Sequence, residues 1–199
     1  MKNIFISGIS SGIGKGLALH FANSGVNVYG VSRRELNYKH KNIIHRCLDL
    51  LDYSQVPLII NKILDGKSLD LVILNAGVIG TMSSMKKADL QTMQLVMDSN
   101  LWSQKILLDS LLESASIKNI VGISSGAAVK GTVGWSGYSI SKAAFNMLLQ
   151  LYAQENSLIK FIALAPGLVD TPMQDYLCGE ISPQDFPSVQ KLHDARGSE

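Results

Sequence analysis

A tyrosine and a lysine stand four residues apart at Tyr138 and Lys142. On a helix this spacing places both side chains on one face. An ammonium group near a phenol favours the phenolate, so we expect Lys142 to lower the pKa of Tyr138 from its usual value of about 10. Such a tyrosine can donate a proton to the oxygen of a carbonyl that is being reduced. The pair alone is common and usually structural, so it predicts acid–base chemistry only together with further residues.

A glycine-rich segment follows the first apolar run and leads directly into a segment of helical periodicity. Its glycines are Gly8, Gly12 and Gly14. Each lacks a Cβ atom, so a phosphate can approach the backbone closely, and the start of a helix adds free N–H donors and a positive dipole end. Between the first strand and the first helix of a βαβ unit, such a segment predicts a dinucleotide-binding site.

The end of the second apolar run bears on which nicotinamide dinucleotide binds. In NAD-binding proteins an acidic residue at this position bonds the ribose 2′-hydroxyl, and it would repel a 2′-phosphate. This chain instead has Ser32, Arg33 and Arg34. Two guanidinium groups can hold a phosphate with paired, charge-assisted hydrogen bonds. The sequence therefore favours NADP(H) over NAD(H); the alternative is that one arginine only faces solvent.

Short β-rich runs alternate with helix-length segments along the chain. Segments with apolar residues at helical spacing include Ile13–Asn23 and Leu101–Leu112. This alternation implies right-handed crossovers and a parallel sheet with helices on both faces. The predicted fold class is α/β, a Rossmann-type doubly wound parallel sheet in three α/β/α layers. The predicted strands are Asn3–Ser7, Asn27–Ser32, Ile43–Leu48, Asp70–Leu74, Asn119–Ser124 and Lys160–Leu164.

The character of the chain changes after Pro166. The segment 166–199 contains Pro172, Pro183 and Pro187 and loses clear periodicity, which predicts an irregular segment. Ligands of open α/β sheets bind outside the carboxyl ends of the strands. We therefore expect 166–199 to cover the substrate. Without a linker or an internal repeat, residues 1–199 are predicted to form a single NAD(P)-binding domain.

The three-residue gap between Gly8 and Gly12 resembles the glycine pattern of the short-chain dehydrogenase/reductase family, in its single-domain branch. Ser125, thirteen residues before Tyr138, has the spacing of that family's catalytic serine, and Asn100 matches its fourth catalytic residue. The resemblance implies four catalytic residues with separate roles. Ser125 bonds the substrate carbonyl and orients Tyr138, and Asn100 holds a water that links Lys142 to solvent. The predicted catalytic residues are Asn100, Ser125, Tyr138 and Lys142.

The resemblance also implies cofactor contacts. Asn75 to Gly77 resembles a segment that stabilises the sheet and lines the cofactor cleft, Asp49 matches a residue that contacts the adenine, and Pro166 to Thr171 resembles the loop at the nicotinamide end. Turn formation is the alternative for Asn75 and Asp49. The predicted cofactor-binding residues are Gly8, Ser10, Ser11, Gly12, Ile13, Gly14, Arg33, Arg34, Asp49, Leu50, Asn75, Ala76, Gly77, Tyr138, Lys142, Pro166, Gly167, Val169 and Thr171.

Within the family, three segments look most like benzil and sepiapterin reductases: 124–128, Gly134 with Trp135, and 185–189. The resemblance implies an NADPH-dependent oxidoreductase that reduces a ketone or diketone to an alcohol, with Tyr138 as general acid. The alternative is a non-catalytic NADP(H)-binding sensor of the same fold, although such proteins typically lose the tyrosine or the lysine. Relatives usually continue past the substrate loop with another helix and a seventh strand, which this sequence does not contain.

Composition and patterning argue against other classes. The 199 residues are 46% hydrophobic and 17% charged with a net charge of +2, and no basic stripe suggests nucleic-acid binding. Cys47 and Cys178 lie in no Cys/His pattern at metal-ligand spacing, so no metal site is predicted. The sequence shows no secretory signal and no apolar stretch of ~20 residues, which predicts a cytoplasmic protein away from membranes.

The family resemblance also implies a homodimer. Its interface is expected to be formed by the helices at 101–112 and 138–152.

Overall fold

Six strands and seven α-helices make up the fold of residues 2–196, which are the residues that the structure, a computed structural model, describes. The strands are β1 Asn3–Ser7, β2 Asn27–Ser32, β3 Ile43–Cys47, β4 Leu71–Leu74, β5 Asn119–Ile123 and β6 Lys160–Leu164. The helices are α1 Gly12–Asn23, α2 Gln55–Leu64, α3 Leu90–Met97, α4 Ser103–Ser114, α5 Ser136–Glu155, α6 Pro172–Glu180 and α7 Gln190–Arg196. The strands form a parallel sheet in the order β3-β2-β1-β4-β5-β6. This confirms the predicted α/β doubly wound fold.

The central strand β1 shows how the layers form. Successive residues of a strand point to opposite faces of the sheet. Phe5 packs with residues of α2, α4 and α5 on one face, whereas Ile4 and Ile6 pack with residues of α1 on the other. Because both faces are covered here, the central strands are apolar nearly throughout. The edge strand β6 differs, since Ile162 and Leu164 are exposed.

Three predicted strand ends differ from the structure by one residue. Leu48, Asp70 and Ser124 were expected inside strands but lie just outside them. The Leu48 and Ser124 amides still donate across the sheet, to the carbonyl oxygens of Ser32 and Leu164 respectively, before the chain turns into a loop. Strand and helix ends vary on this scale because the last hydrogen bonds of an element fray.

The helix predicted at Leu101–Leu112 is part of a longer helical segment. Between α3 and α4 the chain forms a π-helical turn, Asp98–Trp102, and α4 continues to Ser114. Such turns inside helices are often found at functional sites. The helix predicted at Ile13–Asn23 is confirmed, with its start one residue earlier at Gly12.

The prediction that the segment after Pro166 is irregular is wrong for much of its length. Thr171 caps α6 by accepting a hydrogen bond from the Gln174 amide at 3.3 Å, and Pro172 begins the helix. Proline suits the first turn of a helix because its fixed φ is helical and its missing N–H has no partner there. Pro187 likewise begins a 3₁₀ turn that leads into α7. Two prolines that resembled helix breakers therefore begin helical turns.

No helix within residues 2–196 is both long and apolar enough to cross a membrane. A cytoplasmic location stays a prediction.

Candidate active site

A large cavity lies at the carboxyl ends of the strands, where the strand order reverses between β1 and β4. The chain runs outward from β1 to β3 and then crosses back to β4, so the loops after β1 and β4 diverge and leave a crevice. The cavity volume is about 1210 Å³. Sites for one small ligand typically measure 300–1,000 Å³. The cavity therefore has room for a dinucleotide and a second small molecule.

The glycine segment forms the loop between β1 and α1. Gly8 and Gly12 have φ angles of +76° and +53°, a conformation that side-chain-bearing residues rarely adopt. Both line the cavity, but Gly14 does not. A Cβ atom at Gly14 would lie 2.2 Å from the Gly8 carbonyl oxygen. Gly14 thus permits close packing of α1 on the loop.

Two polar residues tie the end of β1 to the end of β4. The Asn75 side-chain amide donates to the carbonyl oxygens of Ser7 at 3.0 Å and Gly8 at 3.3 Å. In return, the Ser7 hydroxyl accepts hydrogen bonds from the backbone amides of Asn75 and Ala76, at 3.0 and 3.1 Å. The sequence analysis assigned no role to Ser7. The available signal was a hydroxyl that closes an otherwise apolar run.

The loop after β2 places the two arginines at the cavity. Arg33 and Arg34 line it and are both exposed, and the Arg34 guanidinium donates to the Ser11 hydroxyl at 3.0 Å. The Tyr38 hydroxyl donates to the Ile9 carbonyl oxygen at 2.5 Å, and burial raises the pKa of Tyr38 to about 12, so it remains a donor. These two bonds hold the arginine loop against the glycine loop. Sequence reasoning missed Tyr38 because its partner is a backbone atom 29 residues away.

The loops after β3 and β6 complete the cavity wall. The Asp49 carboxylate accepts a hydrogen bond from the Leu51 amide at 3.0 Å, so the residue also stabilises its own turn. A Cβ atom on Gly12 would lie 3.3 Å from Thr171, which shows that the loop after β6 lies against the glycine loop.

Most of the predicted site residues line this cavity. They are Gly8, Ser10, Ser11, Gly12, Ile13, Arg33, Arg34, Asp49, Leu50, Asn75, Ala76, Gly77, Ser125, Tyr138, Lys142, Pro166, Gly167, Val169 and Thr171.

Ser125, Tyr138 and Lys142 meet on one wall of the cavity. Tyr138 and Lys142 lie one turn apart on α5 and are 8% and 5% exposed. The Ser125 hydroxyl accepts from the Ala127 amide at 3.1 Å, and it is close enough to the Tyr138 phenol to lower the pKa of that tyrosine against the effect of burial. The neighbouring Ser124 hydroxyl instead donates to the Asn146 side chain at 2.5 Å. Of the two serines, Ser125 is therefore the one whose hydroxyl acts on the tyrosine.

The expected direction of the Tyr138 pKa is wrong. Burial raises the pKa of Tyr138, and the neighbouring Ser125 hydroxyl opposes this rise. The Lys142 ammonium lies 5.9 Å from the centre of the tyrosine ring and donates to the Ile123 carbonyl oxygen at 2.7 Å. Burial lowers the pKa of Lys142 to about 8. Desolvation of the phenol is the largest influence on its pKa, so Tyr138 keeps its proton at neutral pH.

Asn100 lies behind the cavity wall, within the π-helical turn. It is 1% exposed and does not line the cavity. Its carbonyl oxygen accepts from the Val78 amide at 2.8 Å, and its amide donates to the Val78 carbonyl oxygen at 2.7 Å and the Ser141 hydroxyl at 3.0 Å. Asn100 thus joins the segment after β4 to α5. Its water-holding role stays a prediction.

The other end of the cavity contains polar residues to which the sequence analysis assigned no individual role. Trp135 donates from its indole nitrogen to the Ser188 hydroxyl at 2.8 Å, which links the start of α5 to the tail. Lys130, Thr132 and Lys191 also line this end. A tryptophan near Tyr138 was a usable signal, but nothing in the sequence pattern placed Ser188 or Lys191 beside it.

Comparison with known proteins agrees with this geometry. The short chain dehydrogenase family model matches residues 2–180. Benzil reductase ((S)-benzoin forming) of Saccharomyces cerevisiae is 33% identical, over 92% of this chain and 77% of that protein. The protein of the same name from Bacillus cereus is 29% identical, over 96% of this chain and 85% of its own length.

Solved structures show the same likeness. A short chain dehydrogenase/reductase from Saccharomyces cerevisiae superposes with a TM-score of 0.88 at 26% identity, covering 100% of this chain and 84% of that one. ElxO with NADP bound superposes with a TM-score of 0.80 at 29% identity, covering 94% of this chain and 82% of that one. The chain belongs to the short-chain dehydrogenase/reductase family. It is an oxidoreductase that uses a nicotinamide cofactor, as the sequence predicted.

Proposed function

We propose that this protein is an NADPH-dependent carbonyl reductase that reduces a ketone or diketone to an alcohol, with Tyr138 as general acid. The observation that carries the proposal is that Ser125, Tyr138 and Lys142 face the same cavity as the glycine loop and the two arginines. A dinucleotide and a carbonyl substrate in this cavity would lie beside a buried proton donor. The likeness to two benzil reductases supports a ketone or diketone as the substrate.

The residues present fit a nicotinamide dinucleotide phosphate. Gly8 and Gly12 leave backbone surface free of Cβ atoms at the start of α1, where a pyrophosphate would meet N–H donors. Arg33 and Arg34 suit a 2′-phosphate, and a relative of the same fold is known with NADP bound. We therefore assign Arg33 and Arg34 to the 2′-phosphate, and the loop from Pro166 to Thr171 to the nicotinamide end.

In the proposed reaction, bound NADPH supplies the hydride that adds to the carbonyl carbon. As negative charge develops on the substrate oxygen, Tyr138 donates its proton there, so the phenol O–H bond breaks and the alcohol O–H bond forms. Ser125 stabilises the resulting phenolate by donating a hydrogen bond to its oxygen, and the positive charge of Lys142 adds to this effect. A proton from solvent then restores the phenol. The raised pKa of Tyr138 suits this direction, because an acid must hold its proton before the reaction.

The test of the activity is NADPH oxidation measured against ketones, diketones including benzil, and pterins. We expect turnover with at least one aromatic diketone or ketone. Tight NADPH binding without turnover of any compound in the panel would contradict the proposal and would favour the non-catalytic sensor.

Replacement of Tyr138 by Phe tests the mechanism. The ring and its packing remain, but the proton donor is lost, so kcat should fall by about 10²–10⁴-fold while the Kd for NADPH stays nearly unchanged. The matched control is Tyr29→Phe, since Tyr29 is another buried tyrosine at 5% exposure and lies outside the cavity. Near wild-type turnover by Tyr138→Phe would show that another group supplies the proton.

We also propose a homodimer through α4 and α5. Ile140, Met147 and Leu151 form an apolar stripe along α5 and are 43%, 53% and 54% exposed. Light scattering should give a dimer mass for the wild type and a monomer mass for Met147→Glu. Leu158→Glu is the control, because Leu158 is 96% exposed and lies beyond the end of α5. A monomeric wild type at high concentration would contradict this proposal.

A further inference from the structure

A second group of reactive side chains lies at the edge of the sheet, outside the cavity. Glu35, His45 and Cys47 bring a carboxylate oxygen, an imidazole nitrogen and a thiol sulfur within 4.8 Å of one another. None of the three lines the cavity, and the proposed reduction does not use them. Carboxylate, imidazole and thiolate are the three side-chain types that bind zinc in proteins.

The parallel pairing of β2 and β3 brings these side chains together. His45 and Cys47 are two residues apart on β3, so they project from the same face of the strand. Ser32, the last residue of β2, is paired with Cys47, and the chain then turns so that Glu35 lies beside His45. The sequence analysis predicted no metal site because two of these ligands are ten and twelve residues from the third.

The hydrogen bonds of Ser32 determine which nitrogen of His45 is available. The Ser32 hydroxyl donates its single proton to the Arg34 carbonyl oxygen at 2.9 Å. The contact of 2.8 Å between the Ser32 oxygen and His45 Nε2 therefore requires the imidazole to be the donor. In this tautomer Nδ1 carries the free lone pair, and it lies 3.9 Å from the Glu35 carboxylate. A histidine that binds a metal through one nitrogen commonly donates from the other in this way.

We propose that Glu35, His45 and Cys47 form a binding site for a divalent transition-metal cation, with Zn²⁺ the ion that this mixed ligand set matches best. A tetrahedral zinc site with bonds of about 2.0–2.3 Å separates its ligand atoms by roughly 3.3–3.7 Å. From separations of at most 4.8 Å, the three ligand atoms need to approach one another by no more than about 1.5 Å. The Glu35 side chain is 87% exposed and Cys47 is exposed, so both can move at little cost. Three protein ligands leave the fourth position open to water.

Metal binding at this site exchanges a proton for a cation and involves no redox change. The Cys47 S–H bond breaks, its proton goes to solvent, and the thiolate binds the metal. His45 binds as the neutral imidazole, through the Nδ1 lone pair that its hydrogen bond to Ser32 leaves free.

The experiment titrates the full-length protein with Co²⁺ as a spectroscopic substitute for Zn²⁺. Thiolate bonded to Co²⁺ gives a charge-transfer band in the near ultraviolet, which reports Cys47 directly. We expect one Co²⁺ per chain with this band, and loss of the band when Zn²⁺ is added in competition. The band should be absent in Cys47→Ala, which has no thiol at the site. In His45→Ala the Co²⁺ affinity should fall at least tenfold.

Matched variants separate this site from adventitious binding. Cys178→Ala removes the other cysteine and His20→Ala removes an exposed histidine of α1, and both should bind Co²⁺ as the wild type does. Ser32→Ala should keep the band but weaken Co²⁺ binding by about 10–100-fold, because the orientation of His45 is lost. A wild type without the band, or a band that survives in Cys47→Ala and disappears in Cys178→Ala, would overturn the proposal. Circular dichroism of each variant establishes that it is folded.

Discussion

The two ends of the cavity are built in different ways. At the end near β1 and β2, the wall consists largely of backbone and short loops that are tied to the central strands, as by the hydrogen bonds between Ser7 and Asn75. At the other end, the wall consists mainly of side chains, from Lys130, Thr132 and Trp135 and from the helices after β6. The first end presents one backbone shape that suits a phosphate. The second presents a set of side chains that can be exchanged one by one.

The buried residues that support the two ends of the cavity also differ. The glycine loop rests on β1 and α1, whose buried apolar residues belong to the two clusters that cover the faces of the sheet. The tail instead packs through a small separate cluster whose buried members are Met82, Leu177, Val189 and Leu192. The comparison indicates that changes near β1 disturb the whole fold, whereas changes in the tail alter the second end of the cavity with little effect on the first.

The largest expected effect that tests this comparison comes from Gly14→Ala. The added Cβ would lie 2.2 Å from the Gly8 carbonyl oxygen, and a backbone atom cannot move aside cheaply. We expect the free energy of unfolding to fall by about 1–3 kcal/mol and NADPH binding to weaken with it. Gly16→Ala on the same helix is the control, because nothing lies within 4 Å of its Cβ position, and it should stabilise the protein by about 0.5–1 kcal/mol. Equal denaturant midpoints for the two variants would contradict this account of Gly14.

Replacement of Arg33 by Ala should have an intermediate effect that is specific for one cofactor. Only NADPH carries the 2′-phosphate, so its KM should rise far more than that of NADH, and the preference should change by roughly tenfold to a hundredfold. Arg46→Ala removes an exposed arginine of β3 outside the cavity and should leave the preference unchanged. Steady-state kinetics with both cofactors measures the ratio. Equal losses with NADPH and NADH would remove Arg33 from the phosphate site.

The smallest effect is expected from Val189→Ala in the tail. Val189 is fully buried in the small cluster but does not line the cavity, so its truncation loosens the neighbouring Ser188 and Lys191 without removing a contact to a ligand. We expect the KM for the carbonyl substrate to rise roughly tenfold or less, and the Kd for NADPH to stay the same. Val129→Ala, at a valine that is 85% exposed, is the control. A parallel loss of NADPH affinity would show that the two ends of the cavity are coupled.

Features that depend on near neighbours in the chain followed from the sequence. The alternation of apolar runs and helical periodicity predicted the sheet, and the glycine segment and the spacing of Tyr138 and Lys142 predicted which residues meet in the cavity. Backbone geometry explains this success. Residues four apart share a face of a helix, and the carboxyl ends of parallel strands meet at one edge of the sheet whatever the remaining side chains are.

Features that depend on distant parts of the chain were decided by the tertiary structure. The direction of the Tyr138 pKa depends on burial, which sums contributions from the whole fold, and not on the one charge that the sequence places nearby. The convergence of Glu35 with His45 and Cys47 required the pairing of two strands. The helices of the tail required an apolar surface around Met82 on which to pack, a surface that periodicity within the tail itself does not reveal. Local spacing determines which groups an element presents, but only packing determines their solvation and their partners.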